Sequence, residues 1–146
     1  MEIARAEQSD LPAISRLHEH FWGERSDVDA MAKTLAALAD DPHHVILAAR
    51  VGGECVGTAT GVICHGLYGG FDTYMVVEDM VVDAAHRRRG IASALLAELE
   101  SVARERGSNQ VILLTESLRS DAVALYCANG FEARWTGFKK KLQSGE

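Results

Sequence analysis

The chain has 146 residues, 47% of them hydrophobic and 25% charged, and a net charge of −6. That length suits a single domain, residues 1–146, with a proper core, and the acidic balance argues against general attraction to nucleic acid or anionic lipid. No apolar run reaches the roughly 18 residues that span a bilayer, no basic stretch and apolar block open the chain, and Cys55, Cys64 and Cys127 suit neither a disulfide framework nor a zinc site. A soluble protein of the cytoplasm with reduced thiols is expected.

In chain order, Met1–Glu7 alternates weakly and reads as a first strand. Ser9-Asp10-Leu11-Pro12 is a helix start, because Ser9 or Asp10 can cap and proline is tolerated in the first turn. Ile14, Leu17, His18 and Phe21 follow at helical spacing, and the helix ends near Gly23. Asp27 or Asp29 caps a second helix carrying Met31, Leu35 and Leu38, which stops before Asp40-Asp41-Pro42. Val45–Val51 is an apolar strand ending at Gly52-Gly53, a hairpin signal. Glu54–His65 returns, Gly66 to Gly70 turns again, and a third strand runs from about Phe71 to Val82. Three consecutive strands joined by turns imply an antiparallel meander.

The stretch from Met75 to Arg106 is the most informative. A strand rich in Val and Met reaches Val82, Asp83-Ala84-Ala85-His86 leaves it, and Arg87-Arg88-Arg89-Gly90-Ile91-Ala92 leads into a long helix. That helix places Ile91, Leu95, Leu99 and Val102 on one stripe, with Glu98, Glu100, Arg104 and Glu105 off it. Free N–H groups and the helix dipole favour an anion at such a start, and the arginines add charge. Gly107 suits the left-handed position after the helix. Gln110–Thr115 is then a strand, Asp121–Ala128 a short helix, and Phe131–Thr136 and Phe138–Leu142 are final strands. The order β-α-α-β-β-β-α-β-α-β-β is an α/β fold with a mixed, mainly antiparallel central sheet flanked by helices.

Two motifs carry a family resemblance. Arg87-Arg88-Arg89-Gly90-Ile91-Ala92 matches the Arg/Gln-x-x-Gly-x-Gly/Ala signature of the GCN5-related N-acetyltransferase (GNAT) superfamily. Ala122-Val123-Ala124-Leu125-Tyr126-Cys127-Ala128-Asn129-Gly130-Phe131 is similar to its second landmark, Ala-x-x-Leu-Tyr-x-x-x-Gly-Phe. The element order also resembles that fold over essentially the whole chain. The resemblance implies acetyl-CoA as cosubstrate, no metal, and direct transfer of an acetyl group to a primary amine. It implies a pyrophosphate over the turn formed by Arg87, Arg88, Arg89, Gly90, Ile91 and Ala92, with small residues wanted at Gly90 and Ala92 for close approach. It also implies a pantothenate arm paired with the backbone of Met80, Val81 and Val82, like an added strand.

The reaction needs a proton acceptor, since a lysine-like amine has a pKa near ~10.4. Glu78 and Asp79 are the candidates, and strand alternation sets them on opposite faces. Glu78 is favoured, because the family more often carries a base or water-holding Glu in this region. Tyr126 occupies the position whose hydroxyl lies beside the departing sulfur in the family. A phenol near ~10 is a weaker acid than a thiol near ~8.5, so hydrogen bonding to developing thiolate is its expected role. Arg119 departs from the family pattern, which often has Asn there. None of the six histidines shows metal-ligand spacing, and most, His18 and His20 included, are expected to be surface or packing residues. Cys127 is expected to be a small helix hydrophobe.

The leading expectation is an N-acetyltransferase whose partners are acetyl-CoA and an amine acceptor, with no nucleic acid or membrane partner. A homodimer is compatible with the family. The alternative is a non-catalytic acyl-CoA-binding regulatory module, for which Tyr126 and the strand carboxylates are more than is needed. A nucleotide-binding domain lacks support, because the Lys-Ser/Thr of a P-loop and the dinucleotide Gly pattern are absent. The acceptor is not written in the motifs. The loops Phe21–Asp27 and His65–Phe71, which would shape its site, hold Trp22, Glu24, Asp27 and Tyr68.

Overall fold

The computed structural model describes residues 1–70, 72–115 and 119–143. Contacts divide the chain into two compact units, Met1–Leu113 and Leu114–Glu146, and each is described by itself.

In the first unit the alternating segments pair in chain order. The strands β1 (Glu2–Arg5), β2 (His44–Val51), β3 (Glu54–His65), β4 (Thr73–Val82) and β5 (Ser108–Leu113) form one sheet in the order β1-β2-β3-β4-β5. The first four are antiparallel neighbours, and β5 runs parallel to β4. A parallel neighbour requires a crossover, and α3 (Ile91–Glu105) supplies it. The helices α1 (Leu11–Trp22) and α2 (Val28–Leu38) lie between β1 and β2 in sequence. Residue Phe71, where the third hairpin strand was expected to start, lies outside the described residues.

Local chemistry explains the helix ends. The Asp27 carboxylate accepts the Asp29 N–H at 2.9 Å and the Ala30 N–H at 3.3 Å, an N-cap for α2. Gly23 and Gly107 follow α1 and α3 with φ of +79° and +74°, a conformation that costs glycine little.

The core lies between the sheet and α3. Leu95, Leu99, Met75, Leu47 and Val45 are fully buried there. Glycine on β3 lets the helix approach: a Cβ on Gly61 would meet Leu99 Cδ2 and Met75 Sδ, both at 2.9 Å. A second apolar cluster joins Leu11 and Ile14 of α1 to Ala48 and Cys55, with Met31 and Leu35 of α2 packed against it. At its rim Arg50 forks onto Asp10, with Nε at 2.9 Å and Nη2 at 2.6 Å from the two carboxylate oxygens. Burial alone would push Asp10 up; the Arg50 hydrogen bonds and the Glu7 N–H at 2.7 Å hold it below the usual carboxylate value.

The second unit holds α4 (Ser120–Ala128). The expected strands Phe131–Thr136 and Phe138–Leu142 do not form: the described residues 131–143 have no ladder partner. Their β-rich composition is no substitute for one, because strand preference is expressed through cross-strand packing, and Trp135, Phe138 and Leu142 are exposed.

Candidate functional site

The site grows out of the last half of β4. Opposite Ala59 of β3, β4 carries two residues, Asp79 and Met80: Thr60 pairs with Glu78, but Thr58 pairs with Val81. This is a β-bulge, and Asp79 there has φ of +51°, a conformation Asp tolerates better than most residues. Strict alternation is therefore broken between Glu78 and Val81. Both are exposed, and beyond the bulge Val81 joins the face that carries Glu78.

The other edge of β4 is open in the same region. β5 pairs with β4 only as far as Val77 opposite Leu113. From Glu78 to Val82, a stretch that includes Met80, Val81 and Val82, no strand among the described residues pairs with that edge.

Beyond Val82 the chain makes a short 3-10 turn, Ala84–His86. Asp83 steadies it by accepting from His86 Nδ1 at 3.0 Å, the first cause holding its carboxyl below the usual value. The basic turn follows. Arg87, Arg88 and Arg89 are exposed, and Arg87 Nε donates to the Val82 carbonyl at 3.3 Å. Arg88 has φ of +61° and Gly90 of +78°. Arg87 before them is extended, and left-handed Gly90 followed by the right-handed first turn of α3 turns successive N–H groups toward one side, an anion nest. Gly90 is the N-cap of α3 and offers no side chain to its N–H groups, and a Cβ built there would project into open space. Such a turn fits a phosphate group. Ile91 is buried and anchors the helix, while Ala92 is half-buried beside it.

A cleft of about 200 Å³ adjoins this turn, between α1 and the end of β4. Arg16 and His20 of α1 line it with Val81, Asp83 and Arg87. Further along α1, His18 is held on several sides. Its Nδ1 lies 3.0 Å from Ser26 Oγ, and its ring packs edge-on to Trp22 with centroids 5.4 Å apart. Its Nε2 is buried and has no partner among the described residues. Burial pushes the imidazole below its ordinary value, and the Asp79 carboxylate opposes that shift. Sequence reasoning missed this arrangement. His18 stands in the apolar stripe with Ile14, Leu17 and Phe21, so spacing makes it a packing residue, and only its missing partner distinguishes it.

Tyr126 belongs to the second unit. Its ring is T-shaped to Phe131 with centroids 6.0 Å apart, and its carbonyl accepts the Phe131 N–H at 3.0 Å. Burial pushes its phenol up, partly offset by the charge of Arg119. Cys127, expected to be a small helix hydrophobe, lies on α4 and is exposed. Among the described residues no group of three or more His, Cys, Asp or Glu could hold a metal ion, and no helix is long and apolar enough to cross a membrane.

The family model described as the acetyltransferase (GNAT) family matches residues 11–131. An uncharacterized N-acetyltransferase of Bacillus subtilis (strain 168), YhfO, is 29% identical over 147 residues, covering 94% of this chain and 93% of the relative. Two solved structures share the fold. A transcriptional regulator from Bacillus halodurans C-125 has a TM-score of 0.89 at 24% identity, over 97% of this chain and 99% of that one. Glucosamine-6-phosphate N-acetyltransferase from Arabidopsis thaliana has a TM-score of 0.84 at 18% identity, over 97% and 98%. At those identities the likeness is one of fold alone.

Proposed function

The chain belongs to the acetyltransferase (GNAT) family and is an N-acetyltransferase, and we propose that it transfers the acetyl group of acetyl-CoA directly to a primary amine. One observation carries the donor half of this reading: the edge of β4 left open from Glu78 to Val82 leads, through the short turn Ala84–His86, to the left-handed turn at Arg88 and Gly90. An extended arm ending in a pyrophosphate has that shape and charge.

In this reading Met80, Val81 and Val82 bind the pantothenate arm through their backbone. The turn from Arg87 to Ala92 holds the pyrophosphate: Gly90 and Ala92 keep the approach clear, Arg87 contributes main chain, and Arg88 and Arg89 contribute side-chain charge. Acetyl-CoA supplies an acetyl group activated as a thioester. Glu78 faces the acceptor and receives the ammonium proton, directly or through water. Tyr126 hydrogen-bonds to the sulfur as negative charge develops there. Burial raises its phenol, which makes full proton donation more uphill and stabilisation of the anion the better-matched role. The whole chain acts as one acetyltransferase domain in the cytoplasm, and a homodimer is compatible with it.

The test is a thiol-release screen with acetyl-CoA over small amines, amino sugars, aminoglycosides and peptide N-termini or lysines. The expected result is CoA release with at least one class, reduced in Tyr126→Phe and in Glu78→Gln. Tight acetyl-CoA binding with no release from any amine would make the chain a binder.

A further inference from the structure

We propose that His18 is a second proton-accepting group of the acceptor site, taking the ammonium proton on Nε2 while Ser26 fixes the ring and Asp79 balances the imidazolium. This deepens the acetyl-transfer reading and rests on it.

Three observations converge. First, His18 Nε2 is buried and unpartnered among the described residues. A buried polar atom left unpaired destabilises the fold, so such groups point to a role outside the resting structure. Second, the ring is oriented: Nδ1 lies 3.0 Å from Ser26 Oγ, and in the tautomer in which Nδ1–H donates to that hydroxyl the lone pair sits on Nε2, as a base requires. Third, α1 packs across β3 and β4, and the charge that acts on the ring is that of Asp79, the residue at the bulge. The ionisable groups on the elements packed against α1 are Tyr74, Glu78 and Asp79 of β4, Glu54, Cys55, Cys64 and His65 of β3, Asp29 and Lys33 of α2 and Asp10 before α1, with Glu24, Arg25 and Asp27 in the α1–α2 connection and Glu19 and His20 beside His18 in α1. A carboxylate near an imidazole favours the protonated form, which is the form made during the reaction.

The proton balance is complete. The ammonium N–H bond breaks and its proton passes to Glu78 and on, directly or through one water, to His18 Nε2. The freed nitrogen pair forms the bond to the acetyl carbon, and the carbon–sulfur bond breaks with its pair on sulfur. The second nitrogen proton neutralises the thiolate, and the imidazolium returns its proton to solvent.

The sign of the pH dependence follows. Activity requires neutral His18, so kcat/KM should rise with pH through an acid limb lying below the ordinary histidine value of ~6.5. His18→Gln should lower kcat/KM by about 100-fold and abolish that limb, with acetyl-CoA binding unchanged. Asp79→Asn, at an exposed position where Asn tolerates positive φ, should move the limb to lower pH. The His18 ring resonance, followed by NMR in the wild type, should titrate with the limb. A packing role would alter stability and leave the limb in place, so an unchanged limb in either variant overturns the proposal. If His18→Gln does not fold, Asp79→Asn and the wild-type resonance decide it. Wild-type turnover with an unaffected His18→Gln refutes this assignment alone, whereas no wild-type turnover with any amine refutes the acetyl-transfer reading beneath it.

Discussion

Replacing Gly90 by Ala separates backbone strain from ligand approach, because α3 carries its own control at the other end. Gly90 and Gly107 flank the helix with φ of +78° and +74°, and a Cβ at either would meet nothing within 4 Å. An L residue held left-handed costs about 1–2 kcal/mol. Neither substitution adds a clash, so both should destabilise the fold by that same amount. At roughly 2–4 °C per kcal/mol for a chain of this size, each should lower Tm by a few degrees. Binding should differ. At Gly90 the added Cβ enters the space assigned to the pyrophosphate, and a loss of about 1.4 kcal/mol there is tenfold in Kd. Calorimetric titration with CoA should thus give roughly tenfold weaker binding for Gly90→Ala, and weaker still for Gly90→Val, while Gly107→Ala binds as the wild type does. Equal CoA affinity in Gly90→Ala and Gly107→Ala would refute the assignment of the pyrophosphate to this turn.

Other outcomes follow from the same structure. Arg50→Ala should destabilise by about 3–5 kcal/mol, because it strands a buried carboxylate; Arg50→Met with Asp10→Asn should cost much less by urea denaturation. Asp10 has a lowered pKa in the fold, so its contribution is fully present above the unfolded value of ~3.9. It is lost as pH falls through the lowered folded value, and acid unfolding of Asp10→Asn should show a weaker dependence there. Gly61→Ala should cost about 1–3 kcal/mol by overpacking against Leu99 and Met75, with CoA affinity unchanged. Tyr126→Phe should lower kcat by about 10–100-fold, the worth of a hydrogen bond to a charged group; a change confined to KM would contradict the thiolate role.

Much of the first unit was legible in the sequence because its signals are local. Gly52-Gly53 closes a hairpin, and β3 spans the expected Glu54–His65. The stripe of Ile91, Leu95, Leu99 and Val102 is buried as its spacing requires, and Asp27 caps α2. What escaped depends on partners. The bulge at Asp79 is a mismatch of register between β4 and Ala59 of β3, and no pattern within β4 encodes it. Strict alternation therefore does not hold from Glu78 to Val81. Phe131–Thr136 and Phe138–Leu142 have the composition of strands without ladder partners. His18 has the spacing of a packing residue, and its proposed role rests on Ser26, Asp79 and the lack of a partner for Nε2 among the described residues. The left-handed turn at Gly90 and the start of α3 at Ile91 were readable because glycine and the helix start announce backbone shape directly.

The most direct test of acetyl transfer is mass-resolved product analysis of the wild-type chain with acetyl-CoA and the amine panel. The account predicts one acetyl group on an amine nitrogen for each CoA thiol released. Acetyl-CoA retained intact on the protein, with no acetylated amine from any class, would contradict it.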